Sequence, residues 1–208
     1  VPKDDSHVFD PTELSTQEMY KLMIGSVVPR PIAWVSSRSK DGVSNLAPFS
    51  FFTVASRKPP TLLFSVGPGV QERSGTVKDT LTNIRETEQF VIHVVPEHLA
   101  NAMHETSLHY PEHIDEFNKS QLTPISSLTV QPPTIKEAPI AFECEKSDII
   151  QVGTDHLVLG KVKRVRVNDD VYLGNYKTNI AELSPLARLA GDYSTLKTPS
   201  FPLPRKEE

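Results

Sequence analysis

Hydrophobic and polar positions along this chain fall mostly into short alternating runs bounded by turn residues, the period of strands rather than of helices. The first run is Ile32-Ala33-Trp34-Val35-Ser36-Ser37, and the Asp41-Gly42 that follows Arg38-Ser39-Lys40 signals a hairpin. A second strand is therefore expected to return antiparallel from Val43, pass an interruption at Pro48 and continue to Ala55. Lys58-Pro59-Pro60 turns the chain into a third strand, Thr61 to Val66, which ends at Gly67-Pro68-Gly69. A fourth is expected from Gln89 to Val95, and two longer alternating runs cover Ala138 to Val152 and Leu157 to Val167.

Helical spacing is confined to the gaps between these runs. Ser15-Thr16-Gln17-Glu18 has capping-box form ahead of Met19, Tyr20, Leu22 and Met23, with Gly25 as the stop. Asp79 to Arg85 predicts a short helix with Asp79 as its N-cap. From Pro96 to Pro124 the chain is polar and rich in histidine, with helical patches at His98–Glu105 and Ile114–Gln121, and it reads as an excursion from the sheet. Pro185 to Leu189 is expected to form a helical turn closed by Gly191. Residues 1–197 are thus predicted to be a single, mainly β domain: an antiparallel six-stranded barrel or sandwich with helical decorations and an excursion at about 96–124. Residues 198–208 are expected to be an extended or disordered tail.

Composition narrows the functional classes. Of 208 residues 38% are hydrophobic and 23% charged, enough for one packed core and too little charge for a disordered chain. A net charge of −4 offers no general attraction for nucleic acid. The one dense basic run, Lys161, Lys163, Arg164 and Arg166, fits the solvated face of a strand. Apolar stretches such as Ala47–Phe52 and Phe90–Val95 fall far short of the roughly 20 residues that span a bilayer, so no membrane association and a cytoplasmic location are expected. Cys144 is the single cysteine, which excludes an internal disulfide and cysteine-rich metal sites. It lies between Glu143 and Glu145, and such neighbours raise a thiol pKa, so a packed, unreactive thiol is expected.

Familiar catalytic motifs are missing. The nearest approach to a dinucleotide-binding glycine loop, Gly67-Pro68-Gly69-Val70-Gln71-Glu72, has a proline inside it and a carboxylate where the last glycine belongs, and reads as a turn. His98, His104, His109 and His113 could supply a zinc or iron site, but Pro111 interrupts any shared helical face, and scattered surface histidines with no metal are expected. Two segments carry more. Lys78-Asp79-Thr80, a cation and a hydroxyl at the start of a helix, suits either an ordinary cap or a phosphate monoester held by the helix N-terminus. In Ser44-Asn45-Leu46-Ala47-Pro48-Phe49-Ser50-Phe51-Phe52, small polar residues and a proline break a hydrophobic strand, exposing backbone donors to the edge of a planar heterocycle.

In order along the chain, Arg30-Pro31-Ile32-Ala33-Trp34-Val35-Ser36-Ser37, Gly42 to Phe52, Pro59-Pro60 and Lys78 to Ile84 resemble the landmarks of the flavin reductase-like family of FMN-binding split barrels. This group includes flavoredoxin-like proteins and the reductase components of two-component monooxygenases. Asp115-Glu116-Phe117, Phe142-Glu143-Cys144, His156 to Val162 and Pro185 to Tyr193 are similar to the family's later blocks.

The resemblance implies a six-stranded split barrel and FMN bound noncovalently at a homodimer interface. It further implies hydride transfer from NADH or NADPH to FMN, with electrons passing on to free flavin, a monooxygenase partner or another carrier. An electron carrier or flavin store with no nicotinamide turnover is the alternative. By the same resemblance Asn45, Leu46, Ala47 and Pro48 would face the isoalloxazine, and Ser36, Ser37, Ser50 and Phe51 would lie along the ring and ribityl chain. Lys78 and Thr80, with Asp79 between them, would hold the phosphate, and Arg30 would be a cation at the groove. No acid–base residue is required, because a flavin performs the redox step itself and the protein supplies donors near its pyrimidine edge. The chain departs from the family at Gly191-Asp192-Tyr193-Ser194, where a carboxylate would repel a dinucleotide phosphate, and in its histidine-rich excursion.

Overall fold

A computed structural model describes residues 6–69, 77–108, 116–196 and 203. Helix α1 (Thr16–Ser26) begins at the expected capping box: Ser15 Oγ accepts the Glu18 N–H at 3.3 Å and Glu18 Oε2 accepts the Ser15 N–H at 2.9 Å. After the short β1 (Arg30–Pro31), strand β2 (Ala33–Arg38) turns back through Asp41-Gly42 into β3 (Ser44–Phe49). Gly42 sits at φ +88°, which explains the glycine.

The second predicted strand is two. Ser50 and Phe51 leave the ladder after β3, and the chain resumes as β4 (Phe52–Arg57), which pairs with β5 (Pro60–Val66). The remaining main strands are β6 (Gln89–Val94), β9 (Ile140–Val152) and β10 (Asp155–Val167), the last two forming one long hairpin. Together they make a seven-stranded antiparallel sheet in the order β3-β2-β6-β9-β10-β5-β4. Consecutive strands β3 and β4 are therefore its two opposite edges. A two-residue link reaches only about 10 Å, so the sheet must curl until its edges nearly meet. The pairing of β4 with β5 reaches one residue back into the link, where Ser65 N–H donates to Phe51 C=O at 2.9 Å. The predicted antiparallel barrel is a split barrel, its seventh strand arising from the break at Ser50-Phe51.

The curl creates an inside and an outside, and β2 contributes to both. Ala33 and Val35 point inward with Phe49, Leu62, Phe64, Phe90, Ile92 and Val158, and helix α2 (Asp79–Thr87) adds Leu81 and Ile84. The cap lies one residue before the expected one: Lys78 is the N-cap, offers no side-chain hydrogen bond, and Asp79 is the first helical residue. On the outer face Trp34 and Leu46 pack with Met103 of α3 (Ala100–Glu105), Phe117 of α4 (Glu116–Lys119) and Ile135. The excursion is thus a cover for the outer wall. Position 160, beside a register shift between β9 and β10, requires glycine because the Phe90 ring lies where a Cβ would be.

Five short strands of the described residues were not legible: β1, β7 (Pro124–Ile125), which pairs with β8 (Thr134–Ile135), and two near the C-terminal end. Pro185–Leu189 is not a helical turn. Helix α5 (Ile180–Leu183) ends at Ser184 in the left-handed region (φ 39°), and residues Leu186–Arg188 form β11 between β1 and β12 (Tyr193–Thr195). Burial of Leu186 and Ala187 against the outer wall, with both backbone edges paired, favours strand over a turn of helix. The expectation for residues 198–208 lies outside the described residues, Leu203 apart.

His93, whose strand face the alternation left open, is fully buried. Its Nδ1–H donates to Trp34 C=O at 2.9 Å and its Nε2 accepts the Ile135 N–H at 3.0 Å, so the two partners fix one neutral tautomer. Burial pushes its pKa down to about 4, with the Trp34 carbonyl opposing the shift.

Two consequences are measurable. Gly160→Val should destabilise the fold by about 1–3 kcal/mol in denaturant unfolding, because the added methyls meet Phe90. Between pH 6.5 and 4 the unfolded chain binds a proton at His93 that the folded chain refuses, so this contribution is present above pH 6.5 and is lost as pH falls to about 4. Melting temperatures measured across that range should fall more steeply for the wild type than for His93→Gln.

Candidate functional site

The sequence segments singled out for chemistry converge beside the barrel seam. The first turn of α2 packs on β2 and β3 because Leu81 and Ile84 enter the barrel, which leaves Lys78, Asp79 and Thr80 at the mouth. There they line a cavity together with Asn45, Ala47 and Pro48 of β3, Thr106–Leu108 after α3, and Glu116 at the start of α4. The far wall is pinned by Trp34, whose indole Nε1–H donates to Thr106 Oγ1 at 2.9 Å, while that hydroxyl donates to Met103 C=O at 2.8 Å.

A polar network joins the walls. Thr80 Oγ1–H donates to Asn45 Oδ1 at 2.7 Å, and the Ser37 hydroxyl donates to the same oxygen at 3.3 Å while accepting Asn83 Nδ2–H at 3.1 Å. Asn45 Nδ2–H in turn donates to Glu116 Oε1 at 2.8 Å, and Leu46 N–H donates to Oε2 at 3.3 Å. The Asn45 amide is therefore oriented from both ends: its oxygen is held by two hydroxyls and one N–H by a carboxylate, leaving the second N–H as a donor. Burial raises the Glu116 pKa to about 7, against the opposing hydrogen bonds from Leu46 and Asn45, and Asp79 pushes it further up. Lys78 rests over the Phe49 ring, 5.4 Å from its centroid. Burial lowers its pKa, and Asp155 partly counters this.

Of the twelve predicted site residues, Asn45, Ala47, Pro48, Lys78, Asp79 and Thr80 line this one cavity, and Ser37 supports it through Asn45. Others lie elsewhere. Ser36 is on the opposite face of β2, buried, with its hydroxyl donating to Pro133 C=O at 2.6 Å. Leu46 puts its side chain into the outer core. Ser50 and Phe51 form the link between the barrel edges, with Phe51 partly exposed. Arg30 has its guanidinium on the carbonyls of Ile24, Val27 and Leu189, while its Nε is buried without a partner and its charge lies 5.8 Å from the Phe51 ring centroid. Glu116 and Thr106 were not foreseen as site residues. The Asp115-Glu116-Phe117 block was the one sequence signal for the first; nothing marked the second.

His98 lies in a single 3-10 turn (Glu97–Leu99) and His104 within α3, and His109 and His113 lie outside the described residues. Among the described residues no group of three or more histidine, cysteine or acidic side chains is placed to hold a metal. Cys144 is buried inside the barrel, and burial first, then Glu143, raises its pKa to about 12. The basic run follows a largely solvated stretch of β10, with Lys163 paired to Glu145 at 2.9 Å and Arg166 bracing carbonyls of residues 135–138. No helix among the described residues is long and apolar enough to cross a membrane.

Comparisons with known proteins agree with this architecture. An uncharacterized protein of Aquifex aeolicus is 40% identical over 181 residues, covering 87% of this chain and 91% of its own. Nitrilotriacetate monooxygenase component B from Bacillus cereus superposes with a TM-score of 0.90 at 34% identity, covering 95% of this chain and 98% of its own. Pseudomonas fluorescens 2-nitrobenzoate 2-nitroreductase follows at 0.81 and 30%, covering 97% of this chain and all of its own. A split-barrel flavin reductase candidate from Shewanella frigidimarina shares the fold at 19% identity, with a TM-score of 0.82 over 96% of this chain and 100% of its own. The sequence pattern of the "flavin reductase like domain" matches residues 24–184, and the chain belongs to the flavin reductase-like family.

Proposed function

We propose that the protein is an FMN-dependent oxidoreductase that takes hydride from NADH or NADPH and passes electrons to a separate acceptor. The observation that carries this reading is convergence: Lys78 and Thr80, expected at a phosphate, and Asn45–Pro48, expected at a ring, line one cavity although β3 and α2 are thirty residues apart in the chain. The residues fit the cofactor. Lys78 supplies a cation at the N-terminus of α2, where its side chain makes no cap hydrogen bond and the helix dipole favours an anion. Ala47 and Pro48 offer an apolar floor for a planar ring, and the oriented Asn45 amide a donor for its polar edge.

When bound, the flavin supplies the redox chemistry. The chain's part is to hold the phosphate through Lys78 and Thr80, fix the ring edge through Asn45, and leave one ring face open for a nicotinamide to stack, so that position supplies most of the rate. The acceptor is a separate question: two solved structures above 25% identity are named for different chemistries, a monooxygenase component and a nitroreductase. Membership of the flavin reductase-like family supports a reductase, and the two different names support an interchangeable acceptor, a monooxygenase partner included. The reading as an electron carrier without nicotinamide turnover rests on the carboxylate of Asp192, but the cavity lining does not include that residue.

A homodimer forms part of the proposal. Helix α1 buries none of its residues and exposes Tyr20 and Met23, while the neighbouring Val27, Val28, Phe51 and edge-strand Val54 are also exposed. Exposed apolar side chains on a helix and on an edge strand suit a second copy of the chain.

Purified protein mixed with FMN should show bound-flavin absorption that bleaches when NADH or NADPH is added without oxygen. Bands that persist would select the carrier reading, and failure to bind FMN would end both. Lys78→Ala and Thr80→Ala should each weaken FMN binding by about 1–3 kcal/mol in fluorescence titration, the scale of a lost charge-assisted hydrogen bond.

A further inference from the structure

We propose that Glu116 couples the cavity to protons: an anionic ligand seated between Lys78 and Asn45 binds with uptake of a proton by the Glu116 carboxylate. This rests on the reading of the cavity as an FMN site.

The geometry is unusual for a carboxylate. Glu116 is 8% exposed, yet both its oxygens receive neutral N–H donors, Asn45 Nδ2 and Leu46 N, and among the described residues no ion pair joins it to a cation. It also forms part of a wall between two cavities, sharing Asn45 and Asp79 with the second. The charged groups facing it therefore come from several elements. Lys78 and Asp79 of the α2 N-terminus line the first cavity, and Lys40, Asp41, Asp79 and Glu86 line the second. His104 and Glu105 belong to α3, which also packs on β3. Lys40 is turned toward Glu86, at 3.9 Å, and Lys78 lies over Phe49.

A buried carboxyl with a neighbouring carboxylate and two neutral donors is poised between its charged and neutral forms near neutral pH. A phosphate entering the cavity adds negative charge on the same wall system. It binds more tightly when Glu116 is neutral, and by reciprocity its binding draws a proton onto Glu116. The neutral form adds an O–H donor to the cavity wall while its other oxygen can still accept from Asn45, so the amide orientation need not be lost. Glu116 is on this account a positioning residue for Asn45 and a charge-compensating residue for the ligand.

The test is FMN affinity between pH 6.5 and 8.5 for wild type and Glu116→Gln. The wild-type dissociation constant should rise about tenfold across this range, within the usual span of coupling between two sites. In Glu116→Gln it should stay nearly flat, and riboflavin, which lacks the phosphate, should bind the wild type with little pH dependence. Calorimetry at pH 8 in buffers of different ionisation heat should show proton uptake with FMN in the wild type and not in the variant. The free phosphate is already doubly ionised at that pH and does not contribute uptake of its own. Uptake kept in Glu116→Gln would assign the proton to Lys78 and overturn the proposal, as would absence of uptake in the wild type, a result that needs no variant to fold. In either case FMN still binds and the cofactor reading stands. If FMN fails to bind the wild type at any pH, both readings fall.

Discussion

Strand β2 is buried on both faces, and most of the architecture answers that constraint. Ala33 and Val35 require an interior, which the curled sheet and the apolar side of α2 provide; Trp34 and Ser36 require an exterior cover, which the excursion and its short helices provide. A strand in an ordinary antiparallel sheet can leave one face to water, but this one cannot. The cover is fastened by polar groups as well as by packing. Trp34 Nε1 holds Thr106, Ser36 Oγ holds Pro133, and the neutral His93 ties Trp34 to Ile135. Each satisfies a buried donor or acceptor that would otherwise be stranded, a cost comparable to the loss of a hydrogen bond.

The same strand organises the cavity. At its far end the alternation changes character, and Ser37 replaces the aliphatic residues that point inward earlier. Its hydroxyl opens the polar chain that runs through Asn45 to Thr80 on one side and Glu116 on the other. The barrel interior thus grades from a dry core to a hydrogen-bonded rim over one strand repeat. Lys78 stands at that boundary, its charge over Phe49, where burial and the helix end act on it together.

Much of this was legible because the signals are local. Asp41-Gly42 fixes a hairpin, Ser15 to Glu18 fixes a helix start, and long alternating runs such as Leu157–Val167 announce themselves by period. The pieces that escaped are short or long-range. Three-residue strands such as β11 carry too few positions to show a period, and the break at Ser50-Phe51 becomes a strand change only when the sheet closes. Asp79 looked like a cap because its residue type favours that position, but the packing of Leu81 and Ile84 sets the helix start one residue earlier. Ser36 and Ser37 are indistinguishable in sequence; strand alternation sends one to Pro133 and the other to Asn45. Glu116 was the hardest to read. It meets Asn45 across 71 residues, and no spacing rule links two polar residues so far apart.

Under the proposed function, the cavity's composition explains how the chain could serve redox chemistry with so little of its own. Cys144 is sealed in the barrel as a neutral thiol, and His93 is held neutral by two backbone groups far from any ligand it could protonate. Among the described residues the titratable groups on the cavity wall are Lys78, Asp79 and Glu116, one cation and two carboxylates. Such a set governs charge and orientation rather than bond making. Where a cofactor performs the electron transfer, that is the control a protein can exercise: the charge it presents decides which redox form is held more tightly, and the shape it presents decides what can stack beside it. Two carboxylates beside a phosphate cradle would be a liability if both stayed ionised. In the proposed coupling, a carboxylate that takes up a proton when the anion arrives removes that conflict, and the buried position of Glu116 is what favours its neutral form.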